Sequence, residues 1–210
     1  DAYKGSEFIE KIAKPINAIK GYDLPVSAFD GYEDGTFENG TTAFEKRGVA
    51  VNVPQWIPEN CIQCNQCSFV CPHAVIRPFL INEEEKANGP KDMLTLKVIG
   101  KAEGVEYRLQ VSPLDCTGCG VCANVCPSPK GKALVMTPIA EVLPQQKFAD
   151  YLFNEVTYKK EIMGTANVKT SQFAQPLFQF HGACAGCGET PYIKLITQLF
   201  GDRMMVANAT

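Results

Sequence analysis

No stretch of the sequence approaches about eighteen uninterrupted apolar residues, which excludes a membrane-spanning helix. The first thirty residues lack a basic segment followed by an apolar one, so no secretory signal is expected in them. Positive charge is not in excess: the formal net charge is −3, far from the basic surface that nucleic acid requires. Histidine is scarce, with two in 210 residues, so imidazole cannot be the main metal ligand. The chain also lacks an initial methionine and begins at Asp1, which suggests processing or a piece of something longer. Cysteine, by contrast, is abundant, with ten. Without a secretory signal, close cysteine spacing points to metal or cluster ligands in a reducing cytoplasm and not to a disulfide framework.

Hydrophobic residues make up 45% of the chain, enough for a packed interior. Residues 1–47 form a leading segment and linker, with a short helical pattern at Phe8, Ile9, Ile12, Ile16 and Ile19 that Pro15 is expected to break. Residues 30–42 are rich in Gly, Asp, Asn and Thr and are expected to form a loop. A short strand is expected at Val49–Val53, closed by Pro54.

An internal repeat follows. NCIQCNQCSFVCP at 60–72 recurs as DCTGCGVCANVCP at 115–127, with each cysteine repeated 55 positions later. The spacing C-x2-C-x2-C wraps one loop around three corners of a cubane, and a fourth cysteine followed by proline leaves the loop. In two-cluster ferredoxins that fourth cysteine serves the other cluster. On this pattern Cys61, Cys64, Cys67 and Cys126 hold one 4Fe–4S cluster, and Cys116, Cys119, Cys122 and Cys71 hold the second. Structural zinc needs two separated C-x2-C pairs, not this longer run twice over. A catalytic thiol needs one activated cysteine, not eight in register. Gly118 and Gly120, between ligands, suit left-handed backbone. Ile62, Val70, Val75, Val121 and Val125 are candidates to shield the clusters, and His73 is read as a packing residue.

Between the runs, Leu94–Ile99 and Val105–Val111 alternate around a Gly-containing turn, which predicts a β-hairpin inserted into the shorter ferredoxin plan. The ferredoxin-like domain is thus expected over 48–143. A connecting helix from Pro144 and a polar linker follow over 144–176. In 177–210, HGACAGCGET leads into a helix with Thr190 as N-cap and Pro191 at its first position, then a strand at Met204–Ala207. A Gly-rich loop, helix and strand are how an α/β domain opens, so the expected class is α+β with a truncated α/β domain at its end. Cys184 and Cys187 cannot close a cluster alone. A redox disulfide, zinc with two further ligands, or partial cluster ligation all remain open on residues alone. The CAGCG loop at a helix N-terminus suits an anion but equally a cluster loop, and the cluster loop is preferred. Glu189 either faces a cofactor or favours the helix start.

The string EKRGVAVNVPQWIPENCIQCNQCSFVCPHA at 45–74, with DCTGCGVCANVCP and HGACAGCGETPYIKLITQLFGDRMMVANAT, resembles pyruvate:ferredoxin (flavodoxin) oxidoreductase. The resemblance covers about residues 40–210 closely and implies an internal fragment of a longer, cytoplasmic, homodimeric enzyme. It implies that pyruvate and coenzyme A react on thiamine diphosphate with Mg2+, in domains largely outside this chain. Single electrons would leave through three 4Fe–4S clusters to ferredoxin or flavodoxin. Cys184 and Cys187 would ligate part of the third cluster, and Glu189 would neighbour the thiamine site. No catalytic residue is assigned. The alternatives are a freestanding two-cluster ferredoxin and the same role for another 2-oxoacid.

Overall fold

A computed structural model describes residues 5–207. The chain splits after Arg47 into two compact units. In the first, a π-helical stretch Ile9–Ala13 runs into helix α1, Lys14–Asn17. Phe8, Ile9 and Ile12 are buried against Leu24, Phe29, Tyr32 and Phe44. Pro15 does not break the helix. The wider π turn, with Lys14 N–H donating to Ile9 O, comes just before it, so the proline falls in the first turn of α1, where its missing N–H costs little.

The second unit holds two antiparallel sheets. Strand β1, Asn52–Trp56, pairs with β5, Leu134–Pro138. The strand is displaced from the expected Val49–Val53 and contains Pro54. A two-stranded sheet is edge on both sides, so a proline whose N–H would point outward removes no ladder bond. In the other sheet the order is β2 (Ile76–Ile81), β4 (Glu106–Val111), β3 (Leu96–Lys97). The β3–β4 ladder covers Leu96↔Tyr107 and Lys97↔Glu106, while β4 pairs with β2 along all of its length. Tyr107, Leu109 and Val111 on β4 are buried together with Ile76 and Leu80 on β2.

Short helices sit inside the two cysteine runs: α2, Gln66–Phe69, and α4, Val121–Val125. Between them lies α3, Glu83–Asn88, opened by a reciprocal capping box of Asn82 and Glu85. After β5 come α5, Ile139–Val142, a 3-10 turn at Leu143–Gln145, and α6, Gln146–Asn154. The latter buries Phe148, Ala149 and Leu152; Phe148 and Leu152 pack with Phe79, Ile81 and Met93. Residues 157–176 are not a free linker. They form α7, Lys160–Met163, and α8, Val168–Ser171, and bury Thr170 through Ala174. Their polar side chains bond inward, so polarity did not mean exposure.

Helix α9 spans Thr190–Phe200, with Glu189, not Thr190, at the cap position. No strand forms at Met204–Ala207, where Met205 and Val206 are exposed and without a pairing partner. Among the described residues no helix is long and apolar enough to cross a membrane.

Candidate iron–sulfur sites

The loop leading into α2 carries Cys61 and Cys64, α2 carries Cys67, and Cys126 follows α4. These four line one cavity, walled by Ile62, Tyr107, Leu109, Pro127 and Leu134. The equivalent loop and α4 carry Cys116, Cys119 and Cys122, which share a second cavity with Cys71. The matching four-cysteine linings follow from the duplication. In both runs the loop is wound by left-handed backbone at matching positions: Gln63 and Asn65 in the first (φ 55 and 58), Gly118 and Gly120 in the second (φ 71 and 75). Gly118 has no alternative, because a Cβ there would stand 2.9 Å from Asn52 O. Gln63 and Asn65 are amides held on both sides. Gln63 Nε2 donates to Lys97 O and Ile99 N–H donates to Gln63 Oε1, both at 2.8 Å. Asn65 Nδ2 donates to Lys169 O and Tyr107 Oη–H donates to Asn65 Oδ1, again at 2.8 Å.

Cys71, Cys116 and Cys122 are buried and Cys119 is exposed, with the other four between. Burial, reinforced by Cys71 and Cys119, pushes the Cys116 thiol up to about 12. Burial first, and then neighbouring cysteines, raises Cys67 and Cys122 as well. Such thiols stay protonated at neutral pH unless a bound metal cation displaces the proton. Two sulfurs already accept backbone bonds: Gly118 N–H donates to Cys116 Sγ at 3.4 Å and Ala133 N–H to Cys126 Sγ at 3.2 Å. Four zinc ligands would converge on one point at about 2.3 Å. All-thiolate donors spread around an apolar cavity fit a cubane instead.

The remaining two cysteines sit on the loop before α9, where Cys187 N–H donates to Cys184 O at 3.1 Å. Backbone N–H groups of Thr190 and Glu189 at the start of α9, with the Thr190 hydroxyl, hold the Cys187 thiol below its ordinary value. The loop packs on the second cavity. A Cβ at Gly186 would lie 3.5 Å from Cys119 Cβ. His73, which lines that cavity, donates from Nε2 to Ala183 O at 2.8 Å and stacks on His181 at 5.0 Å between centroids. Phe178 stacks on the other side of His181 at 4.3 Å. Glu189 is exposed at the cap position and makes no side-chain cap bond.

Two family profiles match the sequence: a 4Fe–4S dicluster domain over residues 60–129, and a domain of unknown function called EKR over 2–50. The pyruvate:ferredoxin oxidoreductase of Moorella thermoacetica is 60% identical over 206 residues. The pyruvate-flavodoxin oxidoreductase of Enterobacter agglomerans is 57% identical over 203 residues. This chain is a relative of the pyruvate:ferredoxin and pyruvate-flavodoxin oxidoreductases. Each of those two alignments takes in 97% of this chain but 17% of the relative, so the chain spans about a sixth of their length. A more distant match is the mitochondrial pyruvate dehydrogenase [NADP(+)] of Euglena gracilis, 48% identical over 98% of this chain and 11% of that protein.

The dicluster match contains the eight cysteines of the two cavities, while Cys184 and Cys187 lie outside it but within the similarity to the oxidoreductases. Sequence reasoning missed several residues around these sites. Three buried cations, Arg77, Arg108 and Lys194, are 3%, 4% and 1% exposed, and none pairs with a carboxylate among the described residues. Only Lys194 left a trace in the sequence. Thr190, Lys194 and Gln198 recur every fourth position on α9, a polar stripe on a mostly apolar helix, and it is this stripe that is buried.

Proposed function

We propose that this chain is the electron-wiring segment of a pyruvate:ferredoxin oxidoreductase. The parent enzyme would convert pyruvate and coenzyme A to acetyl-CoA and carbon dioxide, with ferredoxin or flavodoxin taking the electrons one at a time. The observation that carries this reading is the pair of cavities, each lined by four cysteines, one of them in contact with the CAGCG loop. Cys61, Cys64, Cys67 and Cys126 would hold one 4Fe–4S cluster; Cys116, Cys119, Cys122 and Cys71 would hold the other. A bound cluster supplies a one-electron store. The chain's own residues set its surroundings: Leu109, Leu134 and Val75 exclude water, and the N–H groups of Gly118 and Ala133 draw charge from the thiolates.

Cys184 and Cys187 would give two thiolates to a third cluster, completed by cysteines outside this sequence. Cys119 lies against their loop, which makes its cage the neighbour of that third site and the Cys61 cage the outward one. Thiamine diphosphate and Mg2+ would belong to the rest of the parent, a cytoplasmic homodimer whose α/β thiamine domain opens in 177–210. Glu189 is a candidate neighbour of that cofactor. The β3–β4 pair would be a hairpin inserted between the two cysteine runs of a shorter ferredoxin plan. A freestanding carrier has less support, because it has no use for a thiol pair packed beside one of its clusters.

Anaerobic iron and sulfide analysis with EPR on the reduced chain tests this reading. About eight irons with matching acid-labile sulfide are expected. Zinc without acid-labile sulfide would overturn it.

A further inference from the structure

Lys194 is the most enclosed charged side chain in the second unit, at 1% exposure, and nothing assigned above uses it. Helix α9 sends it onto the backbone of the first cysteine run. Its ammonium donates to Ser68 O and, at 3.2 Å, to Cys71 O. Those two residues lie on the short segment that runs from Cys67, in one cage, to Cys71, in the other. The polar groups nearby are neutral. Ser68 Oγ donates to Gln172 Oε1 at 3.1 Å, Gln172 Nε2 to Gln198 Oε1 at 3.2 Å, and Gln198 Nε2 to Ala174 O at 2.8 Å. The one other charged side chain felt by Lys194, besides the cysteines, is a second cation, Arg77.

A glutamine could donate to a carbonyl here without burying a charge, so hydrogen bonding alone does not explain a lysine. The anions within its reach are the thiolates of Cys71 and Cys67. We propose that Lys194 is a fixed countercharge lodged on the segment that joins the two cages, which raises the reduction potential of both clusters and of the Cys71 cage most. The inference rests on the cluster reading above. On reduction each cubane keeps its four thiolates and gains one electron, so no bond forms or breaks and its negative charge grows by one. A nearby cation stabilises the more negative form more strongly, and does so with little screening in a buried site.

The test is an EPR-monitored titration of the chain loaded anaerobically with iron and sulfide, with dithionite as electron donor. Wild type is compared with Lys194→Met and with Lys194→Gln, which keeps a donor but not the charge. Both variants should retain the wild-type iron and sulfide content. Their Cys71-cage midpoint should fall by about tenfold in the reduction equilibrium, or about 59 mV for a one-electron couple. The other cluster should move the same way by less. Unchanged midpoints in fully loaded variants would overturn the proposal. So would loss of iron from both variants, which would make Lys194 a staple for the 67–71 segment. A wild-type chain without iron or sulfide would instead defeat the cluster reading itself.

Discussion

Asn65 stands where the second cysteine run has Gly120, and both are left-handed. Glycine meets that requirement by lacking a Cβ, whereas Asn65 meets it by being bonded at both ends of its amide, to Lys169 O and to the Tyr107 hydroxyl. The repeat could have shown this, since the two residues align, but asparagine carries no visible demand for positive φ until its partners are known. Those partners are 104 and 42 positions away, beyond any local pattern. Asn65→Ala keeps the unfavourable backbone and orphans a buried tyrosine hydroxyl, so it should cost about 2–3 kcal/mol in anaerobic denaturant unfolding. Asn65→Gly relieves the backbone and should recover about 1 kcal/mol of that. A variant order reversed from this would mean the side chain, and not the backbone, tolerates little change. The same argument applies to Gln63, whose amide ties the first cysteine loop to the backbone of Lys97 and Ile99.

At the scale of elements, helices were legible where apolar spacing was clear, as in α6, and obscured where polar residues face inward. The segment 157–176 looked like a linker because its Thr, Ser and Gln are also typical of loops. In the fold they are the buried partners of the first cysteine run, with Gln172 bonded to Ser68. α9 inverts the usual pattern: Tyr192, Ile196 and Phe200 are 67%, 46% and 46% exposed while its polar stripe is enclosed. Glu85 ties α3 to the stretch just before α7. It closes the capping box of α3, and its carboxylate accepts from Thr157 N–H and Oγ1 and from Lys159 Nζ, at a pair only 13% and 10% exposed. Burial alone would raise its carboxyl, but Lys159, Asn82 N–H and Thr157 outweigh that and hold it below its ordinary 4.5. A depressed carboxyl stabilises the fold at pH above 4.5 and ceases to do so as pH falls through its lowered value. Glu85→Gln should therefore cost about 1 kcal/mol at neutral pH. The gap in unfolding midpoint from wild type should close below pH 4.5, and acid loss of iron, common to both proteins, cancels in that difference. A gap that stays constant with pH would assign the loss to the capping geometry alone.

Across the whole second unit, charge and topology both depend on what the cysteines hold. Arg77, Arg108 and Lys194 are enclosed among neutral acceptors and aromatic faces, Arg77 at 3.9 Å from the Phe153 centroid and Arg108 at 5.1 Å from both Trp56 and Phe148. Burial lowers Arg108 to about 10 and Lys194 to about 8. Asp92 offsets part of the cost at Arg108, whereas at Lys194 the negative charge would come from the thiolates of Cys71 and Cys67 when they hold clusters. Spacing alone could group the thiols, but which cations enclose them depends on tertiary packing that no spacing encodes. The proposed exchange of Cys71 and Cys126 makes each cage hold one residue from the other run, so damage should cross the duplication. Cys71→Ala should reduce the iron content from about eight to about four and abolish the EPR signal that Cys119→Ala also abolishes. The signal removed by Cys64→Ala should survive, because that cage keeps Cys61, Cys64, Cys67 and Cys126. If Cys71→Ala and Cys64→Ala remove the same signal, each run holds its own cluster, and the exchange that ties the two halves together is wrong.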